Sequence, residues 1–266
     1  MHKGFKFFST VLLFVTLFYT SLSQEVGRYP LRNFGHREYR GHSQNWAVVQ
    51  DHRGLIYVAN NYGVLEYDGD SWRNISINGA LARALDVDRQ GRIWVGGQDE
   101  LGYLAANPKG EMIYHSLVAR LPSECFPLGL VRQVFSTPQG VFFSTNQWLF
   151  QITDNEIFSW KASTSFHRTY YANGVLFANQ PGLGLFFLDN GQLNLVPEGQ
   201  CFNESLVYSI TSFDKDRVLL GTQQNGFFLY NLKALKPEVT VSADSICLPF
   251  KTSNDRFFKD NRIYFG

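Results

Sequence analysis

Short apolar runs alternate with turn residues along most of the chain. The first unit reads DHRG at 51–54, LIYVA at 55–59 and GVLEYD at 63–68. The next reads DRQG at 88–91, RIWVG at 92–96 and LGYL at 101–104. A third has QG at 139–140, VFFST at 141–145 and LFQI at 149–152. A fourth has NG at 173–174, VLFA at 175–178 and LFFL at 185–188. A fifth has DKD at 214–216, RVLLG at 217–221 and FFLY at 227–230. A sixth begins with DN at 260–261 and RIYFG at 262–266, where the sequence stops. Equivalent turns lie roughly 34 to 49 residues apart, close to the ~40–50 of propeller blades.

Each unit supplies four strand-like runs. In the first they cover 46–50, 55–59, 64–67 and 72–75. Gly, Asn and Asp between them tolerate the left-handed backbone of tight hairpins. No helical period intervenes, so sandwich, barrel and propeller are the candidates, and the unit size favours the propeller. Stacked blades bury both sheet faces, which makes inner strands near-continuously apolar, as 55–59 and 175–178 are. Gly96 and Gly221, at the ends of second strands, would let neighbouring sheets approach near the axis. The predicted fold is therefore all-β: a β-propeller of four-stranded antiparallel blades, about five complete blades plus a truncated sixth. The blades are expected near 44–76, 81–116, 130–161, 166–197 and 206–242, with an incomplete one at 254–266. A run at 29–34 is a plausible closing strand whose partner blade would be missing. An open arc with exposed, aggregation-prone edges is the consequence.

Composition narrows the function. With 44% hydrophobic and 18% charged residues the chain is globular. Its formal charge is +1, and loss of Lys3 and Lys6 with a leader would leave −1. That lacks the electrostatic footprint of a nucleic-acid-binding domain, so no direct nucleic acid contact is expected. His2, Lys3 and Lys6 precede an apolar stretch over 7–19, and small residues follow at Ser21 and Ser23. Residues 1–23 thus read as a signal peptide, leaving 24–266 as an exported partial propeller. An anchor helix is the alternative, although the stretch is shorter than the ~20 residues that span a bilayer. Cys125, Cys201 and Cys247 are odd in number, so at most one internal bridge can form. Cys201 and Cys247 occupy similar points of successive repeats, which permits that bridge.

Asn45 and Trp46, Asp51 and Gly54, YVAN at 57–60, GVLEYDG at 63–69 and Trp72 together resemble the two-component-regulator propeller repeat. The match is good over the first two units and loose afterwards. The resemblance implies a large extracytoplasmic sensor of Gram-negative bacteria, with one or two propellers outside the membrane. A tyrosine-rich sandwich, a transmembrane helix and an output unit usually follow. That output is a histidine kinase, a response-regulator unit or a helix-turn-helix, and none of these stands in this sequence. The reading is thus of an N-terminal part of such a protein, on the periplasmic side of the inner membrane, with its anchor further along. A homodimer of the full-length protein is a further expectation.

No nucleophile elbow, zinc-helix, P-loop or paired-cysteine motif occurs. His36, His42, His52, His115 and His167 lack metal-ligand spacing and read as turn or surface residues, so no metal or cofactor is expected. Asp51, Asp68, Asp88 and Asp189 fall at hairpins, where Asp bonds its own backbone. The suggestive pattern is a ring of amides between second and third strands: Asn60, Asn61, Gln98, Asn146, Gln147, Asn179, Gln180 and Gln223. Near the starts of the innermost strands, on the same face, stand Trp46, Arg83, Arg132, Arg168 and Tyr208. Amides and aromatics suit sugars, and Arg suits carboxylate or sulfate. An acidic oligosaccharide is the favoured ligand, bound without catalysis by a sensor input domain. An exported polysaccharide lyase or glycosidase and a protein-interaction propeller are the alternatives.

Overall fold

The computed structural model describes residues 31–262, apart from the Lys259 side chain. The proposed signal peptide and the final run at 263–266 lie outside the described residues. The chain divides into two units, Met1–Gly35 and His36–Gly266. In the first, residues 31–35 form no strand, so the described part of the closing strand read at 29–34 is irregular backbone.

The described residues of the second unit form five four-stranded antiparallel sheets, each ordered as its strands follow in the chain. The first blade is β1 (Asn45–Gln50), β2 (Ile56–Asn60), β3 (Gly63–Tyr67) and β4 (Trp72–Ile75). The second is β5 (Ala82–Val87), β6 (Ile93–Gly97), β7 (Leu101–Ala106) and β8 (Met112–Ser116). The third is β9 (Gln133–Thr137), β10 (Gly140–Ser144), β11 (Trp148–Ile152) and β12 (Ile157–Lys161). The fourth is β13 (Arg168–Ala172), β14 (Val175–Gln180), β15 (Gly184–Asp189) and β16 (Gln192–Leu195). The fifth is β17 (Val207–Ser212), β18 (Arg217–Thr222), β19 (Phe227–Asn231) and β20 (Cys247–Phe250).

Turn chemistry sets these hairpins as the sequence implies. Asp51 Oδ1 accepts from the Arg53 and Leu55 amides at 2.9 and 3.1 Å, and Asp88 Oδ1 from those of Gln90 and Arg92 at 2.9 and 2.8 Å. Asn173 and Gly174 both take positive φ, 49° and 80°, and join β13 to β14 in the two-residue turn that matches strand twist.

The first strands of successive blades lie side by side, β1 against β5, β5 against β9, β9 against β13 and β13 against β17. Four hydrophobic clusters fill the gaps between the five blades. Tyr57, Ile77, Ile93 and Leu104 lie between the first two, and Trp94, Leu128, Phe143 and Phe150 between the second and third. Phe142, Phe166 and Leu176 follow, then Phe177, Phe202, Leu220 and Tyr230. β6 is buried at all five positions because both its faces meet neighbours. Gly96 sits there as expected: a Cβ would run into the Val131 side chain before β9. At Gly221 the reason differs, since a Cβ would meet Ser209 Oγ and Phe227 of its own blade. Polar contacts also cross between blades. Asp86 of β5 accepts from the Ser136 amide of β9 at 2.6 Å, and Tyr170 Oη donates to the Val207 carbonyl at 2.7 Å.

Two boundaries differ from the sequence reading. The fifth blade ends at Phe250 rather than near 242. Asn231 accepts from the Lys233 amide at 3.1 Å and starts a 3-10 turn over Leu232–Leu235, so the chain detours before β20 forms. Where the repeat predicts a sixth blade from 254, the described residues form a short helix, α1 (Asp255–Asn261). Asp255 accepts from the Thr252 amide and hydroxyl at 2.6 and 2.7 Å, which turns the chain into a helical start. Phe258 then packs edge-on against Phe227 at 5.0 Å. Among the described residues no helix is long and apolar enough to cross a membrane.

Candidate functional site

The start of each inner strand lies beside the end of the second strand. Five such starts converge on one cavity of ≈ 680 Å³, within the ~300–1,000 Å³ of small-molecule sites. Trp46, Arg83, Arg132, Arg168 and Tyr208 all line it, one from each blade, and His167 joins them.

Backbone register explains why these residues reach inward. The β1–β2 ladder pairs Asn45 with Asn60 and Ala47 with Ala59, leaving Trp46 as an extra residue. The β5–β6 ladder leaves out Arg83 in the same way, and the β17–β18 ladder leaves out Tyr208. In the third blade the Arg132 amide donates to the Ser144 carbonyl at 2.8 Å, although Gln133 already pairs with Ser144. In the fourth, the His167 amide donates to Asn179, which Arg168 pairs. Every blade thus sets two residues against one at its inner entrance. Such bulges bend the strand and re-aim a side chain.

The lining is cationic and aromatic. The Arg83 guanidinium carbon lies 4.2 Å from the Trp46 ring centre, and that of Arg168 lies 5.2 Å from the Tyr208 ring. His167 meets Tyr208 edge-on at 4.9 Å. Among the described residues no Asp or Glu lines the cavity, and none of the three arginines enters an ion pair. Burial, then the charges of Arg132 and Arg168, lower the Arg83 guanidinium from its usual value. Burial, then Arg168 and Arg132, push the His167 imidazole down to about 4. It is therefore neutral at pH 7. Its Nε2 is buried and has no hydrogen-bond partner among the described residues.

The predicted amides divide into three groups. Asn61 and Gln223 stand behind the aromatics: Trp46 Nε1 donates to Asn61 Oδ1 at 2.7 Å, and Gln223 Nε2 to Tyr208 Oη at 3.4 Å. Asn60, Asn179 and Gln180 are buried and used by the scaffold. Asn60 Nδ2 donates to the His42 carbonyl at 2.7 Å and the Gln44 carbonyl at 3.1 Å, and its Oδ1 accepts from the His42 and Tyr62 amides. Asn179 Nδ2 reaches the Gly184 and Phe202 carbonyls, and Gln180 Oε1 accepts from the Ser163 amide at 2.8 Å. Gln98, Asn146 and Gln147 are exposed but do not line the cavity; Gln98 donates to Asp99 at 2.6 Å and Gln147 to the Thr164 carbonyl at 3.4 Å.

His167 corrects the sequence reading of a turn or surface residue. It is half-buried inside the cavity because the bulge gives the fourth blade an additional inward position. Its adjacency to Arg168, in line with Arg83 and Arg132, was the available signal. Among the described residues no group of three or more His, Cys, Asp or Glu could hold a metal ion.

Solved structures of similar fold include streptogramin B lyase, at 15% identity over 72% of this chain and 68% of that one, with a TM-score of 0.54. Another is the WD40 β-propeller domain of Doa1, at 12% identity over 72% and 67%, with a TM-score of 0.55. The fold is a β-propeller. At these identities the likeness concerns the fold alone. No family model matches the chain, and no curated protein matches it.

Proposed function

We propose that this propeller is the extracytoplasmic input domain of a two-component-type signalling protein, and that its cavity binds an acidic, carbohydrate-derived ligand. The observation that supports this is a cavity lined by three arginines and the Trp46 and Tyr208 rings, and by no carboxylate among the described residues. Like charges gathered without an opposite charge beside them repel one another, and an anion relieves that repulsion while accepting planar, two-pronged hydrogen bonds. Trp46 and Tyr208 line the same cavity as the arginines that lie over their rings, which adds aromatic surface for a sugar ring to the cationic group. Ligand binding would change how the blades pack, and a downstream unit would read the change.

Calorimetry with an oligouronate and a neutral oligosaccharide of equal length tests the reading. Only the acidic one should bind, and the Arg83→Gln, Arg132→Gln double variant should lose about 100-fold or more in affinity. Equal binding of both sugars, or unchanged affinity in the double variant, refutes it. The enzyme alternative draws on His167: a neutral imidazole beside arginines that neutralise a carboxylate suits proton abstraction next to that carboxylate. Release of an unsaturated uronate product would favour that lyase; binding without turnover favours the sensor.

A further inference from the structure

We propose that Cys201 and Cys247 form a disulfide that clasps the fourth blade to the outer edge of the fifth. Cys201 lies in the 3-10 turn Gly199–Phe202 that follows the fourth blade, and Cys247 opens β20 opposite Tyr230 of β19. Several contacts hold that turn over β19 and β20. Tyr230 Oη donates to the Pro197 carbonyl at 3.1 Å, and the Phe202 and Phe228 rings meet edge-on at 5.6 Å. Val196, Phe202 and Tyr230 share one apolar cluster, with Cys247 packed against it. The two thiols lie close enough for each to perturb the other's ionisation.

Both are free thiols in this structure, with Cys201 exposed and Cys247 partly exposed, so an oxidant can reach the pair. Cys125 is fully buried between the second and third blades and is an internal control. The pair is also chemically graded. The neighbouring Cys247 thiol lowers the Cys201 thiol from its usual value, which favours Cys201 as the attacking thiolate.

The chemistry is thiol–disulfide exchange with a small-molecule disulfide as oxidant. The Cys201 thiolate attacks one sulfur of that disulfide and expels a thiolate, giving a mixed disulfide. Cys247 then attacks Cys201 Sγ and expels the second thiolate. Two protein thiols lose two electrons and two protons, and the oxidant becomes two thiols. The bond closes a loop containing β17, β18 and β19. It fixes β20, an outermost strand held by β19 alone within its sheet, and restrains the unfolded chain. It stands independently of the ligand reading.

The full chain, equilibrated with oxidised glutathione, alkylated and digested without reduction, tests this. The expected result is one intramolecular peptide pair containing Cys201 and Cys247, with Cys125 alkylated only after denaturation. Tm should rise by several degrees and fall back with reductant. Cys201→Ser and Cys247→Ser should each stop at a glutathione adduct. Alkylation of both Cys201 and Cys247 in the oxidised wild type, a bridge that includes Cys125, or intermolecular bridging alone would overturn the proposal.

Discussion

Lowering pH should reveal His167 through stability. The folded protein holds its imidazole at about 4, below the ordinary 6.5, because of burial and the Arg168 and Arg132 charges. The depressed folded value means that the unfolded chain binds the proton more readily. Between pH 6.5 and 4 the unfolded state gains a proton that the folded state refuses, so stability falls as pH falls. Below about 4 both states are protonated and this loss is complete. The full difference corresponds to ~3.4 kcal/mol at 1.36 kcal/mol per tenfold. The ring is only half-buried, and solvent screening brings the expected loss to about 1–2 kcal/mol. Urea unfolding of the wild type and His167→Gln across this window measures it. The wild type should lose that much more stability than the variant. Parallel curves would mean that the arginine field does not act on His167, and the electrostatic account of the cavity would fail. An anion that neutralises the arginines should raise the imidazole value, so bound ligand should flatten the wild-type curve.

Asn60→Ala should cost about 2–3 kcal/mol in chemical denaturation, because it strands the His42 and Gln44 carbonyls and the His42 amide. Its folded fraction should bind an acidic oligosaccharide as the wild type does; a loss of affinity would return Asn60 to the binding site. Gly96→Ala should cost about 1–3 kcal/mol, since its Cβ must displace Val131 and strain the contact between the second and third blades. A melting temperature equal to the wild type would show that these blades are not closely packed there.

The blades were legible because their causes are local. Asp51 and Asp88 announce hairpins by bonding amides two and four residues ahead, and the resulting spacing repeats along the chain. The fourth strand of the fifth blade was not legible, because nothing local marks Cys247–Phe250 as a strand. It contains Pro249, follows two 3-10 turns and gains its place by pairing with β19. The helix at Asp255–Asn261 was hidden for a related reason. The turn-like Asp260 and Asn261 suggested another hairpin, while the start that decides the segment is the Thr252 contact with Asp255.

The site was legible to the same depth. Trp46, Arg83, Arg132, Arg168 and Tyr208 align in the repeat, so their common face could be read. The amides align as well, yet Asn60 and Asn179 face inward to the scaffold while Asn61 and Gln223 support the aromatics. Sequence position alone does not separate a loop residue that binds backbone from one that meets a ligand; that depends on which carbonyls come within reach. The bulges are the second missing element. In a strict two-residue alternation, consecutive residues such as His167 and Arg168 would point to opposite faces. Doubling one position at the strand's entrance lets both line the cavity. The repeat places an arginine or aromatic at each entrance, and the bulge converts that scaffold position into a binding position. An insertion or deletion that restores regular pairing there would leave the blade intact and turn the side chain away from the cavity.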